Sequence, residues 1–169
     1  MKKHLAFCLA LILLSLPLFP ALAGQTDFSA LRINEFMASN GETLKDGDGE
    51  SPDWIELYNS GETDLDLAGL CLSDSKKTLD KFTFPSLILP AHGYLVVFAS
   101  GMEKETDGEI HLPFKLSADG ERVVLSYAGE ILDIVSFDLQ EKDVSYSRFD
   151  ARTWRFTDEP TPGAENIFD

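Results

Sequence analysis

The stretch DGDGESPDWIELYNS, residues 46–60, joins two patterns that seem not to belong together. Asp46-Gly-Asp48-Gly-Glu50 is an acidic, glycine-broken run of the kind found in calcium loops, whereas Asp53-Trp-Ile-Glu-Leu-Tyr-Asn59 alternates like a β-strand ending in a turn. The strand half decides the fold. At a period of two, Ile55 and Leu57 share one face and are expected in the core, and Trp54, Glu56 and Tyr58 share the other. A Trp and a Tyr flanking a carboxylate make a candidate ligand face for a sugar ring or a basic side chain, unless a neighbouring strand or the 40–52 connection covers them.

The same rhythm continues outward. Asn40-Gly41, Ser60-Gly61, Ala91-His92-Gly93, Asp119-Gly120 and Ala128-Gly129 are turn signals. Between them lie short runs rich in β-branched, aromatic and leucine residues, without sustained helical periodicity. Strands are expected at 31–39, 53–59, 65–73, 80–85, 94–99, 122–128, 131–138 and 144–149, with a short piece near Trp154–Phe156. Eight or nine short strands indicate an all-β antiparallel sandwich. Tyr94, Val96 and Phe98 alternate with Leu95 and Val97, which predicts a central strand covered on both faces. Val123, Leu125 and Tyr127 share a face, as do Ile131, Val135 and Phe137. Two long connections, 40–52 and 100–113, interrupt the rhythm and carry most of their charge as Asp and Glu.

The acidic half of the opening stretch fails as an EF-hand. A loop starting at Asp46 puts Ser51 where glycine is needed and Leu57 where a bidentate glutamate is needed. Asp46, Asp48, Glu50 and Asp53 remain candidates for a looser calcium site, against the simpler expectation of a solvated acidic loop. Asp53 and Glu56 stand three apart, so one strand points them to opposite faces. They cannot flank one bond as a glycosidase pair does, and a hydrolase would need a carboxylate pair that the sequence does not identify. Glu35 is awkward in a different way. Strict alternation places it with Leu31, Ile33 and Met37, facing the core, where an unpaired carboxylate costs several kcal/mol. A bulge must rotate it outward, or local donors must satisfy it, and either makes Glu35 structural.

The first 23 residues have the form of a secretory signal peptide. Lys2 and Lys3 precede an apolar run from Leu5 to Leu16, and Ala21-Leu22-Ala23 is a small-x-small cleavage site. The run is too short for a membrane span. The expected product begins with a short lead, 24–30, followed by a single domain over 31–169, exported to an extracellular or periplasmic location. Loss of Lys2 and Lys3 takes the net charge from −15 to −17. Such a chain repels phosphate backbones and anionic lipid, so nucleic acid is a poor partner and a cation, basic protein or neutral glycan a better one. Cys71 is then the only thiol, which rules out an internal disulfide. Its setting in Leu70-Cys71-Leu72 predicts a buried, inert structural residue.

The motifs taken in order resemble a known family. Ile33-Asn-Glu-Phe36, Ser39-Asn40, Asp53-Trp-Ile-Glu-Leu-Tyr-Asn59, Gly69 with Leu72-Ser-Asp74, Phe84-Pro85 and Pro90-x-x-Gly-Tyr-Leu-Val-Val97 come first. Phe114-Lys-Leu-Ser117, Asp119-Gly-Glu121, Pro160-Thr-Pro-Gly-Ala164 and Asn166 complete the series. Over about residues 31–166 the chain is similar to the lamin tail domain in its bacterial, secreted form. The resemblance implies an immunoglobulin-like β-sandwich and a non-enzymatic interaction module without a shared active site. It implies a partner that is another exported protein or a cell-surface component, while the residues themselves leave glycan binding by Trp54 and Tyr58 or calcium stabilisation as alternatives. Leu70 stands where the family often has tryptophan. The rod and prenylation signal of nuclear lamins are absent, so filament assembly is not implied.

Overall fold

The computed structural model describes residues 26–102, 104–106 and 108–168, the segment 104–106 by its backbone alone. The expected signal peptide lies outside the described residues, as do Glu103 and Asp107. The chain forms β1 (Leu31–Met37), β2 (Asp53–Asn59), β3 (Leu65–Asp66), β4 (Leu70–Ser73), β5 (Phe82–Thr83), β6 (Ile88–Leu89) and β7 (Tyr94–Ala99). After them come β8 (Lys104–Thr106), β9 (Glu109–His111), β10 (Glu121–Tyr127), β11 (Glu130–Phe137), β12 (Ser145–Arg148) and β13 (Trp154–Thr157).

A seven-stranded sheet in the order β13-β12-β1-β2-β7-β9-β8 faces a four-stranded sheet in the order β11-β10-β4-β5, with β3 and β6 paired separately. One core joins the two sheets. Ile33, Phe36, Ile55, Leu57 and Val97 come from the larger sheet, and Leu70, Leu72, Val123, Leu125, Val135 and Phe137 from the smaller. This is the immunoglobulin-like β-sandwich expected from the sequence, divided more finely. The expected strand 65–73 is split because Gly69 adopts a φ of +80°, a left-handed turn conformation that glycine takes without penalty. The connection 100–113 is not a plain loop, since β9 pairs in parallel with β7 through Phe98 and His111. The lead is part of the packed unit, because Phe28 is buried in the core and meets the Tyr127 ring edge-on at 4.9 Å.

Two bulges correct the strict alternation. In β1, Ile33 lies opposite Leu57 and Glu35 opposite Glu56, which leaves Asn34 as the extra residue. Ile33 and Phe36 therefore both reach the core, while Glu35 and Met37 turn to the outer face of the large sheet. In β11, Leu125 lies opposite Asp133 and Ser126 opposite Ile131, so Leu132 is extra. Ile131, expected beside Val135 and Phe137, is instead 43% exposed. The β10–β11 turn is Ala128-Gly129, both with positive φ, the backbone twist that a two-residue hairpin requires.

Candidate functional site

The outer face of the large sheet carries most of the candidate residues, and two non-strand segments cover much of it. The first is the 40–52 connection. The Asn40 side-chain amide donates to the carbonyls of Leu44 (2.6 Å) and Pro52 (2.7 Å) and so closes the base of the loop. Asp143 Oδ1 accepts from the Gly41 and Glu42 backbone N–H groups and from the Thr43 hydroxyl. Those bonds, the Glu42 amide first, hold the Asp143 carboxyl below its usual range. Pinned in this way, the loop lays Leu44 over Met37, Trp54 and Phe98, a small second core.

That packing overturns part of the expected ligand face. Trp54 and Glu56 are both 0% exposed, so neither presents a surface to a sugar or a peptide. Tyr58 is only half-buried and stacks on Tyr94 at 4.5 Å between ring centroids. The Arg32 guanidinium lies over the Tyr58 ring. These side chains line a cleft of about 240 Å³ with Arg148, Glu165 and Asn166. Burial, then the neighbouring charges of Tyr58 and Glu56, pushes the Tyr94 hydroxyl up to about 12.

The second cover is the C-terminal segment around Pro160-Thr-Pro-Gly-Ala164. It crosses Glu35 and Glu56, which the β1 bulge has set side by side. Glu35 is 0% exposed and richly bonded. Its carboxylate accepts from the Ser145 and Ser147 hydroxyls of β12 and from the Thr161 backbone N–H and hydroxyl. Glu56 accepts from the Asn34 side-chain amide at 2.8 Å and from the Gly163 backbone N–H. Asn166 ties the segment down by donating to the carbonyls of Asn34 and Arg148. Burial pushes the Glu56 carboxyl up to about 7, against the pull of the Gly163 N–H and the Asn34 amide and with the help of the Glu35 charge. Both routes considered for Glu35 operate together, the bulge and the local donors. A perturbed carboxylate in an open cleft would suggest catalysis. Here two strands and the C-terminal segment enclose the pair, and its bonds hold the fold.

The four acidic candidates of the opening stretch do come together, in one cleft of about 320 Å³ completed by Ser100, Met102 and Lys115. They do not form a metal cage. Asp46 Oδ1 accepts from the backbone N–H groups of Asp48 (3.1 Å) and Glu50 (2.9 Å), so this oxygen already shapes its own turn. Asp53 Oδ1 faces the Asn40 N–H. Burial raises the Asp53 carboxyl, offset by the N–H groups of Asn40 and Leu116 and the charge of Lys115. Among the described residues no three His, Cys, Asp or Glu side chains gather where they could hold an ion.

Cys71 departs from its expected burial. Leu70 and Leu72 take the core face of β4, which leaves the Cys71 thiol half-buried on the outer face, 3.4 Å from the Thr83 hydroxyl. A last feature was not predicted beyond a short strand near Trp154. Arg155, Phe156 and Thr157 of β13, the terminal strand of the large sheet, line a cleft of about 800 Å³, the largest of those described. Its signal in the sequence is the pair of aromatics at alternate positions, Trp154 and Phe156, beside a run of Asp158 and Glu159.

A family model described as Lamin Tail Domain matches residues 25–138. No curated protein matches the chain. The matched span ends before β12, β13 and the C-terminal segment, although the first two complete the large sheet and the third covers its carboxylate pair.

Proposed function

This chain belongs to the lamin tail domain family, a class of immunoglobulin-like interaction modules, and from that premise we propose an exported, non-enzymatic module that binds another exported protein or a cell-surface component. The observation that carries the reading is where half of the eight exposed large apolar side chains among the described residues collect, the others being Ile88, Met102, Ile131 and Leu132. Leu139 (64%), Phe149 (43%), Phe156 (47%) and Ile167 (58%) all lie on or beside β12, β13 and the C-terminal segment. Scattered apolar residues are ordinary on a surface, whereas a concentration at one end of a sheet marks a contact region. The buried Glu35–Glu56 pair has a structural role in the same reading.

The test has two readouts. The full chain, expressed with a C-terminal tag in a bacterial host, is expected to appear outside the cytoplasm with a mass that starts at Gly24. Photo-cross-linking residues placed singly at Lys77, Ile88 and Leu139 are then exposed to exported proteins and surface material of the producing cells. A discrete adduct from at least one site supports the module. No adduct from any site, or retention of the leader in the cytoplasm, would sink it.

A glycan-binding reading has one observation in its favour, the Tyr58–Tyr94 stack beside Arg32 and Asn166. It predicts retention on cell-surface polysaccharide that Tyr94→Ala abolishes. Equal retention of the variant counts against it.

A further inference from the structure

The sandwich treats two of its edges in different ways. The β11 edge is tied to its neighbours: Asp133 Oδ2 accepts from the Ile33 backbone N–H at 3.0 Å and from the Arg148 guanidinium, which joins this edge to β1 and β12. The β13 edge is open. It ends the seven-stranded order, and among the described residues no strand pairs with its far side. An open edge presents unpaired N–H and C=O groups, and proteins usually blunt it with proline, lysine or a covering segment. β13 is Trp-Arg-Phe-Thr, and its one cation, which lines the adjoining cleft, is held against aromatic rings. The Arg155 guanidinium lies 3.4 Å from the centre of the Phe149 ring and 5.9 Å from that of Phe168.

The cleft lined by β13 has an apolar floor and an acidic rim. Leu139, Val144, Phe156 and Phe168 supply the floor, Glu141, Asp158 and Glu159 the rim, and Arg155 and Thr157 complete the lining, with the Arg155 guanidinium held against Phe149 and Phe168. All three rim carboxylates belong to exposed residues. We infer that β13 is a docking edge for an extended segment of another protein in which basic and apolar residues alternate, added to the large sheet as an extra strand.

The chemistry follows from three features. Strand addition supplies main-chain hydrogen bonds, and a period of two sends alternate side chains of the incoming segment to one side. Four residues of β13 give about 13 Å of edge at roughly 3.3 Å per residue, enough to order a segment of about four residues. Apolar side chains then reach Leu139, Val144 and Phe156, while Lys or Arg side chains reach the rim. A second copy of this chain is the poorer occupant, because it brings the same acidic rim and a net charge of −15 against an equal charge. The inference deepens the interaction-module reading and rests on it.

The probe is a fluorescent peptide, (Lys-Val)4, titrated by anisotropy into the chain purified after export. Two comparators separate the contributions: (Glu-Val)4 reverses the charge, and (Lys-Val)4 with alternate N-methylated amides keeps the charge but removes strand donors. Binding of the first peptide at least tenfold tighter than either comparator is expected. Glu141→Lys with Glu159→Lys should weaken it tenfold or more, and Leu139→Ser by several-fold. Both variants change exposed side chains, and an unchanged melting temperature confirms that they fold. Equal binding of the N-methylated peptide would show charge attraction without strand pairing and overturn the inference. So would unchanged affinity in the double variant, or a concentration-dependent dimer that the double variant dissociates. Cross-linked adducts at Lys77 or Ile88 with none at Leu139 would remove this edge and leave the module reading standing.

Discussion

Two groups of carboxylates in this chain invite opposite errors. Residues 46–53 crowd Asp46, Asp48, Glu50 and Asp53 into one stretch, and the density suggests a site. Glu35 and Glu56 sit in separate strands and look like ordinary members of an alternating pattern. In the folded chain the crowded group lines an open cleft and one of its oxygens holds its own backbone turn. The scattered pair is buried side by side and bonded by β12, Asn34 and the C-terminal segment. Proximity along a chain governs local turns. Burial governs how much a charge matters, because a carboxylate away from water is costly unless donors replace the water.

The sharpest way to break that contrast is to remove a member of the buried pair. Glu35→Ala leaves the Ser145, Ser147 and Thr161 donors without their acceptor. A loss of about 3–5 kcal/mol is expected, as for a broken buried polar network. Urea unfolding measures it, and a loss under about 1 kcal/mol would mean that the C-terminal segment contributes little.

The second test is a pH profile. The Glu56 carboxyl lies near 7 in the fold, above its ordinary 4.5, so the folded chain holds this proton more tightly than the unfolded one. The contribution is present in full below about pH 4.5 and is lost as pH rises through 7. Over that window the shift corresponds to about 3 kcal/mol. Other acidic groups titrate nearby, so the readout is the difference between wild type and Glu56→Gln. The variant should flatten the fall in melting temperature between pH 5 and pH 8. Parallel profiles for the two proteins would show that Glu56 does not carry it.

The acidic loop is expected to answer weakly. Asp46→Ala removes an acceptor for two part-buried backbone N–H groups, a loss of about 0.5–1.5 kcal/mol in the same urea measurement. Calcium should do least. A site filled to about 100 times its dissociation constant adds roughly 2.7 kcal/mol, equivalent to about 5–10 °C at this chain length. Because the Asp46 oxygen is already engaged and no three ligands converge among the described residues, a shift below about 2 °C is expected on replacing EDTA with millimolar calcium. A rise near 10 °C that magnesium does not reproduce would turn the loop into a metal site and reverse the comparison.

How legible each feature was depends on how far apart its partners lie in the chain. The Ile55 and Leu57 core face followed from a period of two within seven residues, and so did the Val123 and Leu125 face of β10. The covering of Trp54 did not. It depends on Leu44, which Asn40 and Asp143 bring into place from different parts of the chain. Glu35 was legible as a problem, since alternation pointed it into the core, yet its solution needed Asn34 as a bulge and donors more than 100 residues away. Pro160-Thr-Pro-Gly-Ala164 stood out as a motif, and its contacts did not, because a loop carries no period that points at a partner.

Turn residues, strand periods and the order of motifs, all properties of neighbouring residues, were enough to determine the all-β sandwich and its family from the sequence alone. Which polar groups are covered and which edge is tied to its neighbours depended on long-range packing. The Asp133 carboxylate reaches Ile33 across 100 residues to tie the β11 edge to β1, while no strand pairs with the far side of β13 among the described residues. Those contacts form only when both sheets are assembled. Burial alone then decides whether a given carboxylate or aromatic ring holds the fold or meets a partner.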